Sequence, residues 1–104
     1  MHERDLIKKA KDHIAAIGGI AFKYHGGPFS EAGVPDILCC LAGRFVAIEM
    51  KVPGNAPTPI QLRQIQRLTK AGAYAFVCSD IEDLKKRLAH LVDSSSCQPS
   101  GPAV

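Results

Sequence analysis

Several residue types that would point at once to a class of protein are scarce or missing from this 104-residue chain. It has no Trp, two Tyr and four Phe, so a core must be built mainly from aliphatic side chains. The N-terminus, Met1 to Asp5, lacks the apolar segment of a secretory signal, and no apolar run approaches the roughly 20 residues of a membrane span. We therefore expect a soluble, cytoplasmic protein with no membrane partner.

Neither the cysteines nor the net charge identifies a function. Cys39, Cys40, Cys78 and Cys97 show no CxxC spacing and no nearby His arrangement of zinc type. The adjacent pair, Cys39 and Cys40, lies in an apolar run and is expected to act as two small hydrophobic residues. The formal charge of +3 is too small to indicate a nucleic-acid partner by itself.

The hydrophobic periodicity predicts one α/β domain with the element order α-β-β-β-α-β-α. A helix is expected over 3–17 and another from the Thr58 cap to about Lys70, where Pro59 and Gln61 complete an N-terminal capping signature. A last helix follows Asp80. Strands are expected at Ile20–His25, Ile37–Leu41, Phe45–Met50 and Tyr74–Cys78. The hairpin strands are apolar on both faces, which favours a mixed sheet flanked by helices. We expect the domain to span 1–92 and a flexible C-terminal tail to span 93–104.

The hairpin between the second and third strands gives a geometric prediction. If Ala42-Gly43 is a two-residue turn, facing residues have numbers that add up to 85, so Asp36 faces Glu49. Directly opposed residues project from the same side of a sheet, with Cβ atoms roughly 5 Å apart. Alternation along the strand places Lys51 on that side too. The sequence therefore predicts two carboxylates and one ammonium group at a single place.

Two facing carboxylates repel each other unless positive charge lies between them, so a bound divalent cation is the natural explanation. Carboxylate oxygens are the ligands that Mg²⁺ prefers, and Mg²⁺ can polarise a phosphoryl oxygen and acidify a water. An ammonium such as that of Lys51 can orient the water and offset developing negative charge. This combination of groups suits the hydrolysis of a phosphodiester bond.

Three segments carry a family resemblance: Gly33-Val34-Pro35-Asp36, Ile48-Glu49-Met50-Lys51, and Pro57-Thr58-Pro59-Ile60-Gln61. With the acidic first turn of the leading helix, they resemble the PD-(D/E)xK nuclease superfamily, and within it the VRR-NUC family of virus-type replication and repair nucleases. The resemblance extends from Glu3 to about Cys78. It implies a restriction-endonuclease-like core.

The resemblance also implies a role for each residue of the site. Asp36, Glu49 and the backbone carbonyl of Met50 would bind Mg²⁺ or Mn²⁺, and Glu3 would reach the metal, directly or through water. Lys51 would position or activate the attacking water, and Gln61 would support Lys51 or a phosphate. The family's single-domain viral and bacterial members look like homodimers that cut branched DNA such as four-way junctions. The expected place of action is then the cytosol of a bacterium or of a phage-infected host.

Two of these residues have a structural explanation as well. Thr58 and Gln61 form a capping box, which alone accounts for a Gln at that position. Glu3 lies in the first turn of a helix, where acids are common because they complement the helix dipole. For Asp36, Glu49 and Lys51 the competing reading is a simple strand start followed by an ion pair. An acid at the end of an apolar strand argues against that reading, because it needs a partner.

Basic residues outside this group are candidates for DNA binding. Arg63, Arg67 and Lys70 form a stripe at i, i+4 and i+7 on the helix that begins near Gln61, where they could contact phosphates or form a solvated face. Lys23 and Tyr24, just before Gly26-Gly27, could contact a strand of nucleic acid by charge and by stacking.

Three functions remain open from the sequence. The first is a Mg²⁺-dependent DNA endonuclease that acts as a homodimer on branched DNA. The second is a DNA-binding or assembly module that keeps the nuclease fold without turnover. The third, a phosphate-binding enzyme for small molecules, is disfavoured because Gly26-Gly27 lacks a GxGxxG or Walker pattern.

Overall fold

The predicted order of seven regular elements is confirmed in the computed structural model, which describes residues 2–95. The elements are α1 (Glu3–Ala16), β1 (Ile20–Lys23), β2 (Ile37–Leu41), β3 (Arg44–Met50), α2 (Pro59–Lys70), β4 (Tyr74–Cys78) and α3 (Ile81–Ser95). The first strand is shorter than predicted by two residues, because the chain leaves the sheet after Lys23. The last helix includes residues 93–95, which were assigned to the tail. The remainder of the predicted tail, 96–104, lies outside the described residues.

The four strands form one mixed sheet in the order β1-β2-β3-β4. The first two pairings are antiparallel and the third, between β3 and β4, is parallel. Ala42 and Gly43 form the two-residue turn, with φ values of 54° and 76°. Positive φ at both central residues is typical of a type I′ turn, whose twist matches that of the strands. Ile37 pairs with Ile48 and Leu41 with Arg44, which confirms the predicted register.

One face of the sheet, which we call the core face, is fully covered. Ile37, Ile48 and Phe76 lie side by side on it across β2, β3 and β4. Helix α1 packs on β1, β2 and β3, while α3 packs on β4 and against α1. Leucines and isoleucines of both helices, including Ile14, Leu84 and Leu88, join the strand residues in a single apolar cluster. This face accounts for most of the buried apolar area of the domain.

The opposite face, which we call the site face, is covered only in part. Helix α2 packs on β4 and β3, and the half formed by β1 and β2 stays largely open. Ile20, Phe22, Cys40 and Phe45 are exposed there. The predicted mixed sheet flanked by helices is therefore confirmed, with the cover on the site face limited to β3 and β4. Cys40, expected to act as a small hydrophobic residue, is exposed, whereas Cys39 is buried on the core face.

No helix within residues 2–95 is long and apolar enough to cross a membrane.

Candidate active site

Asp36 and Glu49 are brought together at the end of the hairpin where β2 begins. One step beyond the Ile37–Ile48 pair, the confirmed register sets Asp36 opposite Glu49. The position of Asp36 is fixed from the other side as well, since its carbonyl oxygen accepts a hydrogen bond from the N–H of Tyr24 at 2.7 Å. Glu49 lies on a central strand, flanked by β2 and β4, and is only 1% exposed. The sheet itself therefore holds the two carboxylates in place.

Glu3 completes a cluster of three carboxylates. One carboxylate oxygen from each of Glu3, Asp36 and Glu49 lies within 4.8 Å of the other two. Glu3 is the first residue of α1, whose apolar side packs on the sheet and so aims this end of the helix at the cluster. Asp5, the other acid of this turn, accepts a hydrogen bond from the His2 N–H at 3.4 Å instead. Glu3 thus belongs to the carboxylate cluster, whereas Asp5 binds the backbone at the start of α1.

Two oxygens of this cluster are buried without compensation. Asp36 Oδ2 and Glu49 Oε1 have no hydrogen-bond partner among the described residues. The pKa of Glu49 is raised to about 8, mainly by burial and next by the neighbouring Asp36 carboxyl, while Lys51 opposes the shift. Unpaired buried carboxylate oxygens are costly, and binding a cation would remove that cost. The donor set, three carboxylates of which two have unused oxygens, fits a divalent cation that prefers oxygen ligands.

The other oxygen of Glu49, Oε2, faces Lys51 and Gln61. Lys51 Nζ lies 3.6 Å from it, and the Lys51 side chain is 14% exposed. Gln61 Nε2 donates to the same oxygen at 3.4 Å. Since both donors use Oε2, the second oxygen of Glu49 is left for Asp36 and for a cation. The structure thus brings together all five side chains that the sequence singled out for catalysis.

Gln61 caps α2, as the sequence predicts, and its side chain contacts Glu49, whereas the resemblance implied support of Lys51 or a phosphate. Its Oε1 accepts a hydrogen bond from the Thr58 N–H at 2.9 Å, and its backbone N–H donates to Thr58 Oγ1 at 3.3 Å. This capping box leaves the amide nitrogen of the side chain free to donate to Glu49. The cap fixes the orientation of the amide, so the helix start and the site depend on the same side chain.

The backbone carbonyl of Met50 also points toward the Asp36 side of the strand. The N–H of Lys51 donates to the Cys78 carbonyl on β4 at 2.9 Å. In a trans peptide the carbonyl points the opposite way, so that of Met50 is directed toward β2. The residue across from it in the register is Pro35, which has no N–H to donate. This carbonyl is therefore available as a ligand beside the carboxylates.

Sequence reasoning missed the residues that hold the loop in front of Asp36. Gln64 is a buried polar residue of α2 whose Nε2 donates to the Ala32 carbonyl at 2.8 Å and to Glu31 Oε2 at 3.0 Å. Its Oε1 accepts from Arg67 Nη1 at 2.9 Å. The available signal was helical phase, because Gln64 follows Gln61 by three residues and so lies on the same side of the helix.

Gly33 brings the loop still closer to the helix. It has a φ of 77°, and a Cβ at this position would lie 2.9 Å from the backbone carbon and oxygen of Ile60. The loop that leads into Asp36 therefore rests directly on the first turn of α2, which carries Gln61. Only glycine combines that backbone conformation with so close an approach.

The basic candidates for DNA binding are not gathered on one surface. Arg63 and Lys70 are exposed on α2. Arg67 is already engaged by Gln64 and lies 3.6 Å from Glu31. Lys23 lies on the core-face side at the end of β1, where it lines a depression with Arg4 and Lys8 of α1.

Comparison with known proteins relates 85% of the chain to a protein named as a nuclease and to a solved VRR_NUC domain. No protein-family model matches the chain. It is 37% identical over 89 residues to "Putative nuclease p44" of Acyrthosiphon pisum secondary endosymbiont phage 1, a match that covers 85% of this chain and 92% of the relative. A solved structure described as "VRR_NUC domain" superposes with a TM-score of 0.72 at 33% identity, covering 85% of this chain and 95% of the other.

Proposed function

The chain belongs to the VRR-NUC family, and from this we propose that it is a Mg²⁺-dependent DNA endonuclease with Asp36, Glu49 and Lys51 at its catalytic centre. The observation that carries the proposal is the pair of buried, unpartnered oxygens, Asp36 Oδ2 and Glu49 Oε1, within a cluster of three carboxylates. A domain that needed only stability gains nothing from such a pair. A centre that cuts phosphodiesters with a bound cation uses such oxygens as ligands.

The ligands we assign to Mg²⁺, or to Mn²⁺ in its place, are Asp36, Glu49 and the Met50 carbonyl, with Glu3 directly or through water. All are hard oxygen donors, the type both ions prefer. When bound, the ion would polarise the scissile phosphate and lower the pKa of a water. The remaining work falls to the protein's own groups.

Lys51 is assigned to the attacking water. Its ammonium group is mostly shielded from solvent and lies beside Glu49, where it can donate a hydrogen bond to the water and stabilise negative charge as it develops on the phosphate. Gln61 is a positioning residue in this scheme. By donating to Glu49 Oε2 it keeps that carboxylate turned toward Asp36 and Lys51.

The substrate we propose is branched DNA, such as a four-way junction, cut by a homodimer. A domain of this length covers one scissile strand, so a symmetric cut needs two copies. The open half of the site face, together with the adjoining Phe45 of β3, offers a surface for the second copy: Ile20, Cys40 and Phe45 are neighbours across three strands, and Phe22 lies beside them. Contiguous exposed apolar residues of this kind mark interaction surfaces.

The free thiols of Cys39, Cys40 and Cys78 fit a reducing cytosol.

Phe22→Glu tests the dimer without touching the carboxylate cluster. We expect wild type to sediment as a dimer and the variant as a folded monomer that no longer makes paired cuts in a four-way junction. A monomeric wild type would remove the symmetric-junction proposal and leave the nuclease proposal standing.

The proposal for activity is tested by a panel of linear, nicked, flapped and four-way DNA. Cleavage is expected with Mg²⁺, none with a chelator, and binding with little turnover in Ca²⁺, whose looser coordination places the water poorly. Asp36→Asn and Lys51→Met should abolish cleavage while the fold survives. Asp12→Asn, at a surface acid paired with Lys8, is the matched control and should cleave normally.

Cleavage in a chelator, or by Asp36→Asn, would overturn the assignment. Metal-independent DNA binding with no cleavage of any substrate would instead favour a DNA-binding module that keeps the nuclease fold.

A further inference from the structure

We propose that Phe29 stacks on an unpaired DNA base a few nucleotides from the scissile phosphate, and so helps the site to recognise branched rather than continuous duplex DNA. The inference rests on the proposed nuclease function and adds a binding residue to it. Its basis is an aromatic side chain that is 102% exposed at the tip of an anchored loop beside Asp36.

The loop between β1 and β2 starts and ends at the site. It leaves the sheet at Tyr24 and returns at Asp36, and the hydrogen bond from the Tyr24 N–H to the Asp36 carbonyl, 2.7 Å long, closes its base. Asp36 is one of the three clustered carboxylates. A contact made by this loop therefore lies next to Asp36, where the proposed function places the scissile phosphate.

The returning arm of the loop is fixed to α2. Gln64 binds Glu31 and Ala32, and Arg67 adds a contact with Glu31. Two residues later Gly33 lies against the backbone of Ile60. These contacts hold the loop out from the sheet in one position, so its tip is presented by a rigid support.

The tip is a tight turn that points Phe29 outward. The Ser30 N–H donates to the Gly27 carbonyl at 3.0 Å, and the Gly27 N–H donates to Ser30 Oγ at 2.9 Å. Pro28 and Phe29 are the two residues between these bonds. Single exposed apolar side chains are common on protein surfaces, but this ring is held by a hydrogen-bonded turn in a loop that ends at Asp36, so it is available to a ligand that the site binds.

The length of the loop limits where that partner can lie. Phe29 follows Tyr24 by five residues, and a fully extended chain spans about 3.5 Å per residue, so the tip is within roughly 17 Å of the loop base. Successive nucleotides rise about 3.4 Å along one strand. Phe29 can therefore reach a base at most about five nucleotides from the scissile phosphate.

A base fits this position better than a protein surface does. The neighbours of Phe29 in the turn, Gly27, Pro28 and Ser30, carry neither charge nor a large apolar group, so the tip presents one isolated ring. A protein interface needs a contiguous apolar area, which the molecule offers elsewhere, around Phe22 and Phe45. A single exposed ring suits one base, because stacking uses the π-face of any base, and apolar side chains of this kind also wedge between base steps.

The test measures binding in Ca²⁺ to a four-way or flapped DNA that carries 2-aminopurine within five nucleotides of the mapped cut. Wild type should change the 2-aminopurine fluorescence on binding. Phe29→Ala should lose that change and raise Kd about 10-fold, within the range expected for one base–aromatic stack. Phe29→Tyr should restore both. Leu62→Ala, which truncates another exposed apolar side chain, is the matched control and should behave as wild type.

In Mg²⁺, Phe29→Ala should raise KM on branched DNA with little change in kcat, and it should not alter cleavage or binding of continuous duplex. Equal weakening on duplex and branched DNA, an unchanged fluorescence signal, or a loss of dimer on sedimentation would each overturn the stacking role. If wild type cuts no DNA at all, the proposed nuclease function is wrong. If Phe29→Ala cuts every substrate normally, only the stacking role of Phe29 is overturned.

Discussion

The two faces of the sheet are built from the same strands and follow different physical rules. On the core face, α1 and α3 cover apolar residues of every strand, and burial removes apolar surface from water. On the site face, α2 covers half of the sheet, and what it helps to bury is Glu49. The open half leaves apolar residues in solvent. The core face is therefore arranged for stability, and the site face carries unfavourable burial and exposure that stability alone would not select.

The contrast is sharpest between two adjacent residues of β3. Ile48 is completely buried on the core face and Glu49 is 1% exposed on the site face. For Ile48 the transfer from water is favourable. For Glu49 the same loss of water, together with the nearby Asp36 carboxyl, raises the pKa to about 8. Similar burial on the two faces thus has opposite energetic consequences, as we expect if the site face holds the proposed catalytic centre.

The largest effects are expected from separate substitutions of these two neighbours, Ile48 and Glu49. Ile48→Ala should lower the free energy of unfolding by about 2–5 kcal/mol, because it leaves a cavity in the covered face. Glu49→Gln should not lower it, because the amide is of similar size and carries no buried charge. Cleavage should fall by on the order of 10³-fold in Glu49→Gln, as when one key group of a preorganised site is lost. Urea unfolding in a chelator and cleavage of the preferred substrate measure the two quantities.

Ile48→Val, which removes one methylene group, should cost only about 0.5–1.5 kcal/mol and retain cleavage. If Glu49→Gln destabilises the chain as strongly as Ile48→Ala, Glu49 is a structural residue and the contrast between the faces is wrong.

The pH dependence of stability should come largely from the site face. Between the ordinary pKa of a Glu, near 4.5, and the folded value of about 8, the folded chain keeps a proton on Glu49 that the unfolded chain releases. Stability in a chelator should then be greatest at low pH within this window and fall as the pH rises to 8, by an amount on the order of a few kcal/mol. Urea midpoints at pH 5.5, 7 and 8.5 measure it.

Mg²⁺ should reverse this trend, because the ion binds the ionised cluster and its stabilising effect grows with pH. Glu49→Gln should flatten both profiles. A wild-type midpoint in chelator that rises steadily from pH 5.5 to 8.5 would contradict the raised pKa.

Gly33→Ala tests how closely the loop before Asp36 must approach α2. The variant should lose roughly 1–3 kcal/mol of stability, because the position has a positive φ and a Cβ would meet the backbone of Ile60 at 2.9 Å. Cleavage should fall as well, since the contact aligns Asp36 with Gln61. Gly54→Ala is the matched control. Gly54 has a φ of 93° with nothing within 4 Å, so its variant feels the strain alone and should keep cleavage. Equal cleavage by the two variants would show that the contact between this loop and α2 does not affect the site.

The smallest effects are expected in the turn that decides which residues lie on which face. Ala42 holds a φ of 54°, a conformation that costs an L-residue roughly 1–2 kcal/mol, and Asn tolerates it better. Ala42→Asn should increase the free energy of unfolding by up to about 1 kcal/mol and so raise the thermal midpoint slightly. Cleavage should be unchanged. Gly43→Ala in the same turn, at a φ of 76°, should move the midpoint the other way. The same sign for both variants would mean that the turn is not under the strain inferred here.

The hairpin could be predicted because its rules are local. A two-residue turn fixes the register of β2 and β3, and alternation then assigns every side chain to a face, so Asp36 opposite Glu49 followed from counting. The start of α2 was equally local, since Thr58, Pro59 and Gln61 lie within one turn. Glu3 could not be placed this way. It is more than thirty residues from Asp36, and only the packing of α1 on the sheet brings the two together.

Local patterns in the sequence were enough to predict the order of the elements, the register of the hairpin and the placement of Asp36 opposite Glu49, because turns and alternation act over a few neighbouring positions. Three other features became visible in the folded chain alone: Gln61 both caps α2 and binds Glu49, Gln64 holds the loop before Asp36, and half of the site face stays open. These features depend on where α2 packs across the sheet. That position is set by the sum of many distant contacts, which no short segment of sequence encodes.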